Sequence, residues 1–253
     1  MTRREFIAAS GAGVAGSVLV TAADALAAGA LPAIKAVAFD ALAVFDPRSV
    51  WALADQVFPG RGGELSAEWR TRQFEYTWLR VIAGRYTDFW QVTEDALTYG
   101  AKRLDITPSP AQRDALMNAW RTLKGWPDTP AALATLKKSG LQLALLSNFT
   151  HGMLAGCMAS AGLQNVFDHV VSTDEARTYK PDPRAYRLGL DALKVPREHI
   201  LFVAYAGWDA AGARSFGYPT FWTNRLKLPP EELGETPEGM GGTLSDLVAF
   251  LRR

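Results

Sequence analysis

The sequence predicts an α/β protein: a Rossmann-like parallel-sheet core with a helical cap inserted after the first strand. Three observations carry this. The short apolar run Ile34-Lys35-Ala36-Val37-Ala38-Phe39 ends at Asp40 and reads as a buried strand. Residues 47–126 offer no strand candidate and read as helix almost throughout. From Thr129 onward helical and strand-like segments alternate, as repeated βα units on a parallel sheet do.

The elements follow in order. The chain opens Met1-Thr2-Arg3-Arg4-Glu5-Phe6-Ile7, runs uncharged from Phe6 to Ala23 and reaches Ala25-Leu26-Ala27. Paired arginines, a weakly apolar stretch and an A-x-A end resemble a twin-arginine export signal over residues 1–27. A periplasmic protein is therefore expected, free of the membrane once the signal is removed. Many glycines and few large apolar residues would make this segment a poor bilayer anchor. The core is expected over residues 28–46 and 127–253, and the cap over 47–126. In the cap, Leu65, Trp69, Tyr76, Leu79 and Ala83 fall on one helical stripe. A second cap helix is expected near 88–104, and a third after Pro110. Beyond it, strands are expected at 141–146, 170–171, 200–203 and 220–222, with helices at 130–138, 151–161, 183–193, 209–216 and 244–251.

Composition narrows the chemistry. Twenty-seven basic residues balance 26 acidic ones, leaving a net charge of +1 and no case for a nucleic-acid partner. One cysteine, Cys157, and three scattered histidines supply neither a disulfide framework nor a Cys/His metal cluster. No metal and no cofactor are expected. The work falls to carboxylates, lysine, arginine and hydroxyls.

Open α/β sheets bind ligands beyond the carboxyl ends of their strands, so residues there are the first candidates. Asp40 ends the first strand, where a carboxylate can act as a nucleophile or simply form a turn. Ser147-Asn148 follows the next strand and offers hydroxyl and amide donors, though Ser-Asn is also ordinary turn chemistry. Lys180 sits in Tyr179-Lys180-Pro181-Asp182-Pro183, where two prolines make a mobile surface charge a poor reading. A fixed ammonium beside Asp40 would keep that carboxylate ionised. Asp209 opens a helix and serves as readily for an N-cap as for catalysis.

Taken in order, Phe39-Asp40, Leu146-Ser147-Asn148, Lys180-Pro181 and Asp209 resemble the four motifs of the haloacid dehalogenase superfamily. The runs 58–62, 69–80, 179–182, 208–210 and 216–220 are similar to type II L-2-haloacid dehalogenases, over about residues 34–251. The resemblance implies hydrolytic dehalogenation of short L-2-haloacids to 2-hydroxy acids through an aspartyl ester. In that scheme Asp40 is the nucleophile, Lys180 its ion-pair partner, and Asp209 places the hydrolytic water. Arg70 stabilises the leaving halide from the cap. Ser147 and Asn148 hold the substrate carboxylate, and Asn148 also lines the halide side. Leu42, Phe89, Tyr186 and Trp208 complete the substrate-binding set. The partner is then a small halogenated carboxylic acid, and relatives of this type often form homodimers.

Phosphatases of the superfamily need a second acid two residues after the nucleophile, where this chain has Leu42. Halide needs no protonation on leaving, so that loss does not hinder dehalogenation. The chain also departs from the dehalogenases. Its first motif reads Asp40-Ala41-Leu42-Ala43-Val44-Phe45-Asp46, one residue short and lacking a Tyr and a Thr, and Ala204 and Ala206 replace a serine and an asparagine. Two alternatives stay open: a hydrolase of another substrate such as a phosphate ester, and a non-catalytic periplasmic binder of small carboxylates.

Overall fold

The computed structural model describes residues 32–252, so the expected export signal lies outside the described residues. The chain forms β1 (Ala36–Phe39), a helical turn α1 (Ala41–Val44) and a two-residue strand β2 (Phe45–Asp46). Four cap helices follow: α2 (Arg48–Val57), α3 (Gly62–Ile82), α4 (Phe89–Arg103) and α5 (Pro110–Ala119). Strand β3 (Lys124–Gly125) returns antiparallel to β2 and closes the neck of the insertion. The chain continues through α6 (Thr129–Lys138), β4 (Gln142–Ser147), α7 (His151–Ala161), β5 (His169–Ser172) and α8 (Pro183–Leu193). It ends with β6 (Ile200–Ala204), α9 (Gly207–Phe216), β7 (Thr220–Thr223), β8 (Gly239–Gly241) and α10 (Leu244–Phe250).

Six strands form one sheet in the order β5-β4-β1-β6-β7-β8, every pairing parallel. The central strands are nearly unbroken apolar runs because both faces are covered. Alternation divides each strand between the two faces. Val37, Phe39, Leu145 and Val203 join the core that reaches cap residues Leu65, Trp69 and Phe89. Ala36, Ala38, Leu146 and Phe202 pack on the opposite side with Tyr186 and Tyr218. The chain lays β4 and β5 to one side of β1, then crosses back to add β6, β7 and β8 on the other. The carboxyl end of β1 is therefore the topological switch point of the sheet, and Asp40 stands on it.

The α1 turn carrying Asp40 has its carbonyls held by side chains from the core. Trp126 Nε1 donates to Leu42 O at 2.9 Å, Arg225 Nη2 to Ala43 O at 3.2 Å, and Thr129 Oγ1 to Val44 O at 2.9 Å. Arg225 is itself fixed by a two-pronged pair with Asp128, at 2.9 and 3.0 Å. Burial would raise the Asp128 carboxyl, but Arg225 and the Leu244 N–H outweigh it and hold the group below the ordinary carboxylate range.

Three expectations are corrected. The cap holds four helices rather than three, because residues 48–57 form a helix of their own. A strand does lie between 47 and 126, but β3 has only two residues and too little pattern to be read. The stripe along α3 fails at its far end: Leu65 and Trp69 are buried, yet Leu79 is 58% exposed and Ala83 also faces solvent. The buried line runs instead through Gln73 and Thr77. Both are polar but satisfied, Gln73 Nε2 donating to Thr93 Oγ1 at 2.7 Å and Thr77 Oγ1 to Phe74 O at 2.6 Å. Hydropathy alone misses a buried polar face of this kind.

Thr129→Val keeps the side-chain shape and removes one support of the α1 turn. Val44 O retains the Trp126 N–H at 3.1 Å, so it is not left bare. The expected cost is therefore about 1 kcal/mol, the net worth of one hydrogen bond, read from the urea unfolding midpoint.

Candidate active site

At the switch point one ammonium joins two carboxylates. Lys180 Nζ donates to Asp40 Oδ1 at 2.8 Å and to Asp209 Oδ2 at 2.7 Å, with the lysine side chain 1% exposed. Burial alone would lower the Lys180 pKa. Asp209 and Asp40 outweigh that penalty and set it above the ordinary lysine value, so the group stays charged. The second oxygen of Asp40 accepts the Leu42 N–H at 3.0 Å, which fixes the plane of the carboxylate. Asp209 is buried, and its Oδ1 accepts the Tyr186 hydroxyl at 2.8 Å. Desolvation raises its pKa to about 6, against the pull of Lys180 and with a further push from Asp40.

The β4 end supplies the neighbouring donors. Ser147 Oγ accepts the Phe149 N–H at 3.1 Å, leaving its own hydrogen free to donate. Asn148 Oδ1 accepts the Lys180 N–H at 2.9 Å and the Thr173 hydroxyl at 3.2 Å, so its amide NH2 is the group left to donate. The loop bearing Lys180 is tied to the cap: Trp78 Nε1 donates to Lys180 O at 3.3 Å, and the Tyr179 hydroxyl to Thr87 O.

A cavity of about 30 Å³ opens over Asp40. Asp40, Leu42, Ser147, Asn148 and Asp209 line its floor, and Phe89 and Trp208 its walls. The structure thus brings together most of the residues singled out in the sequence. Two stand apart. Tyr186, expected in the pocket wall, lies behind Asp209 with its ring in the core on the far side of the sheet. Its spacing on α8 turns it toward that core, and its part is to hold the Asp209 carboxylate. Arg70 is exposed at the rim, its guanidinium 5.8 Å from the Trp51 ring centroid and without an ion-pair partner among the described residues. Asp209 does not cap its helix. Ala206 occupies that position and offers no side-chain cap.

Sequence reasoning missed part of the lining: Gln73, Phe74, Trp120, Phe149, Tyr205 and Ala206 also face the cavity. Phe74 and Gln73 follow Arg70 by one helical turn, which is the only signal that points to them. Trp120 Nε1 is buried with no hydrogen-bond partner. Cys157 is buried away from the cavity, and burial pushes its thiol up to about 12, so it is not a nucleophile. Among the described residues, no group of three or more His, Cys, Asp or Glu side chains comes together to hold a metal ion.

Comparison with known proteins places this geometry. A family model described as haloacid dehalogenase-like hydrolase matches residues 34–217. The chain is 45% identical over 206 residues to the (S)-2-haloacid dehalogenase of Pseudomonas sp. (strain YL), covering 81% of this chain and 89% of the relative. It is 38% identical to haloacetate dehalogenase H-2 of Moraxella sp. (strain B), covering 81% and 92%. Among solved structures, L-2-haloacid dehalogenase RSc1362 superposes with a TM-score of 0.86 at 43% identity, over 88% of this chain and all 100% of that one. The Xanthobacter autotrophicus enzyme with chloropropionic acid covalently bound gives 0.81 at 34% identity, over 87% and 98%.

The raised Asp209 pKa has a consequence for stability. An aspartate in the unfolded chain titrates near 3.8, whereas folded Asp209 titrates near 6, so folding takes up a proton between those values. This residue therefore makes the fold progressively less stable as pH rises through that window. Asp209→Asn should remove this slope. Urea unfolding of both proteins at several pH values across the window is expected to show the variant gaining relative to wild type as pH increases.

Proposed function

The chain belongs to the haloacid dehalogenase-like hydrolase family, and from that premise we propose that it hydrolyses short L-2-haloacids to 2-hydroxy acids. The observation that carries this reading is Asp40 itself. Its carboxylate faces a small cavity, is pinned by Lys180 and Leu42 N–H, and has an aliphatic residue two positions on, where no leaving oxygen could be protonated. Halide, the conjugate base of a strong acid, departs without that proton. The relatives named (S)-2-haloacid dehalogenase support the same substrate class.

In the first step a carboxylate oxygen of Asp40 attacks C2 from the side opposite the halogen. A C–O bond forms, the carbon–halogen bond breaks, and halide leaves with the bonding pair. Lys180 pairs with the Asp40 carboxylate and orients it, and the free hydrogens of Ser147 and the Asn148 amide hold the substrate carboxylate. Arg70 meets the departing anion from the cap, a diffuse cation for a diffuse charge. In the second step water adds to Cγ of the ester and C–O cleavage frees the 2-hydroxy acid, one proton and the original Asp40. Because hydrolysis breaks the bond to Cγ rather than to C2, the inversion of the first step is kept. Asp209 is ionised above about pH 6 and holds Lys180 at the ester.

Export and assembly belong to the same proposal. The Arg3-Arg4 pair, the weakly apolar stretch after it and Ala25-Leu26-Ala27 support twin-arginine export to the periplasm. No helix of the described residues is long and apolar enough to cross a membrane. Leu79 and Ile82, 58% and 84% exposed on α3, support a homodimer joined through the cap.

With L-2-chloropropionate the purified mature protein is expected to release chloride and 2-hydroxypropionate, while Asp40→Asn releases none above background. Chloride release by wild type no faster than by that variant, across several haloacids, would overturn the reading. Replacing Arg3 and Arg4 by lysine should leave the full-length chain in the cytoplasm, whereas the wild-type periplasmic fraction should contain a shortened protein of dimer mass by light scattering.

A further inference from the structure

The β6 end of the cavity is built differently from the β4 end. Ala204 turns into the core on the far face, and Ala206 lines the cavity with a methyl group. Between Val203 and Asp209 one side chain alone carries a hydrogen-bonding group besides the Trp208 indole, and it is Tyr205. Tyr205 shares the face of Val203, toward the cap, and it lines the cavity. Its ring stacks on Trp126 with centroids 6.4 Å apart at 29°, and its carbonyl accepts the Trp222 indole N–H at 3.1 Å. Trp126 is in turn fixed to Leu42 O and lies under the guanidinium of Arg225, 4.3 Å from its centroid. Ring and backbone of Tyr205 are thus held, while its hydroxyl bonds to nothing among the described residues.

The charges around that hydroxyl locate it. Burial raises the phenol above its ordinary value, Arg70 and Arg225 oppose the rise, and Asp40 and Asp46 add to it. The hydroxyl therefore lies within the fields of both the nucleophile and the rim arginine. It stays protonated at neutral pH, so it is a donor and not a base.

We propose that Tyr205 is a halide-stabilising residue, its hydroxyl donating, together with Arg70, to the halogen as it leaves C2. This rests on the dehalogenase reading above. The substrate carries two groups that accept hydrogen bonds: Ser147, on the β4 side of Asp40, takes the carboxylate, and Asn148 beside it also lines the halide side. In-line attack from Asp40 points the halogen away from the sheet toward the cap, and Tyr205 lines the cavity on that cap-facing side. One neutral donor and one cation then share the developing charge in a cavity walled by Phe74, Phe89 and Trp208. Poor shielding by water there makes each donor count for more.

The test is Tyr205→Phe, which keeps the ring on Trp126, assayed with L-2-chloropropionate and L-2-bromopropionate. Chloride concentrates its charge and leaves less readily than bromide, so it depends more on the donor. The expected result is a loss in kcat of roughly ten- to hundredfold on the chloro substrate. The loss on the bromo substrate should be clearly smaller, KM nearly unchanged, and product inhibition by added chloride weaker. Equal losses on both substrates with raised KM would put the hydroxyl on the carboxylate, and an Asp40 ester that accumulates by mass spectrometry would put it in the hydrolytic step. Either result, or no loss at all, overturns the proposal. Should the variant unfold more easily than wild type, 3-fluorotyrosine at position 205 preserves packing and strengthens the donor. It is expected to raise kcat on the chloro substrate, and an unchanged or lower kcat overturns the proposal. If wild type itself releases no chloride above Asp40→Asn, the dehalogenase reading has failed. If it does and Tyr205→Phe matches it, only the role of Tyr205 has.

Discussion

The molecule is organised around one buried ammonium. Lys180 bridges Asp40 and Asp209 at 2.8 and 2.7 Å, and each of the three groups would be costly to bury alone. The elements that deliver them come from separate parts of the chain: the end of β1, the loop before α8 and the first turn of α9. Their meeting requires the sheet order in which β1 lies between β4 and β6. Around the bridge the second oxygen of each carboxylate also has a donor. Tyr186 serves Asp209 from behind, and Leu42 N–H serves Asp40 from the α1 turn. Removing Lys180 would leave two neighbouring carboxylates without their shared counter-charge, which makes the ammonium the member the network can least lose.

The second constraint is the turn that aims Asp40. The segment 41–44 reads Ala-Leu-Ala-Val and has no side-chain hydroxyl to tie its own backbone. Three donors from distant sequence do this instead: Trp126, Thr129 and Arg225. The Asp128–Arg225 pair behind them also accepts the first N–H of α10 at 2.6 Å, so the terminal helix and the nucleophile turn share one anchor. A shortened motif is thereby held in place without its own polar residues. The same brace seats the ring of Tyr205 against Trp126.

Much of this was legible in the sequence, and what was legible shares a physical cause. Strands such as Ala36–Phe39 and Ile200–Ala204 announce themselves because burial on both faces demands unbroken apolar runs. The residues after them, Asp40, Ser147, Asn148 and Asp209, follow from the rule that strand ends face the ligand. What stayed hidden depends on contacts between distant segments. Gln73 and Thr77 look like surface residues until α4 provides Thr93 opposite Gln73. Tyr186 reads equally well as a pocket residue or a core residue, since α8 has no outward sign of which face meets Asp209. Tyr205 and Trp120 reach the cavity only because β6 and α5 converge there in three dimensions. The strand at 124–125 is set by its partner, not by its composition.

Charge balance explains why the cap has to take part. Asp40, Asp209 and Lys180 together carry minus one above about pH 6, before any substrate arrives. In the proposed reaction a haloacid brings a second negative charge to this site, and the departing halide keeps that charge there. In so small and apolar a space, neutral donors such as Ser147, Asn148 and Tyr205 can orient anions but cannot neutralise them. The core supplies no further cation to the cavity lining: Lys180 is committed to two carboxylates, and Arg225 to Asp128. Arg70, exposed on α3 and without an ion-pair partner among the described residues, is the cation that the proposed reaction assigns to the departing charge.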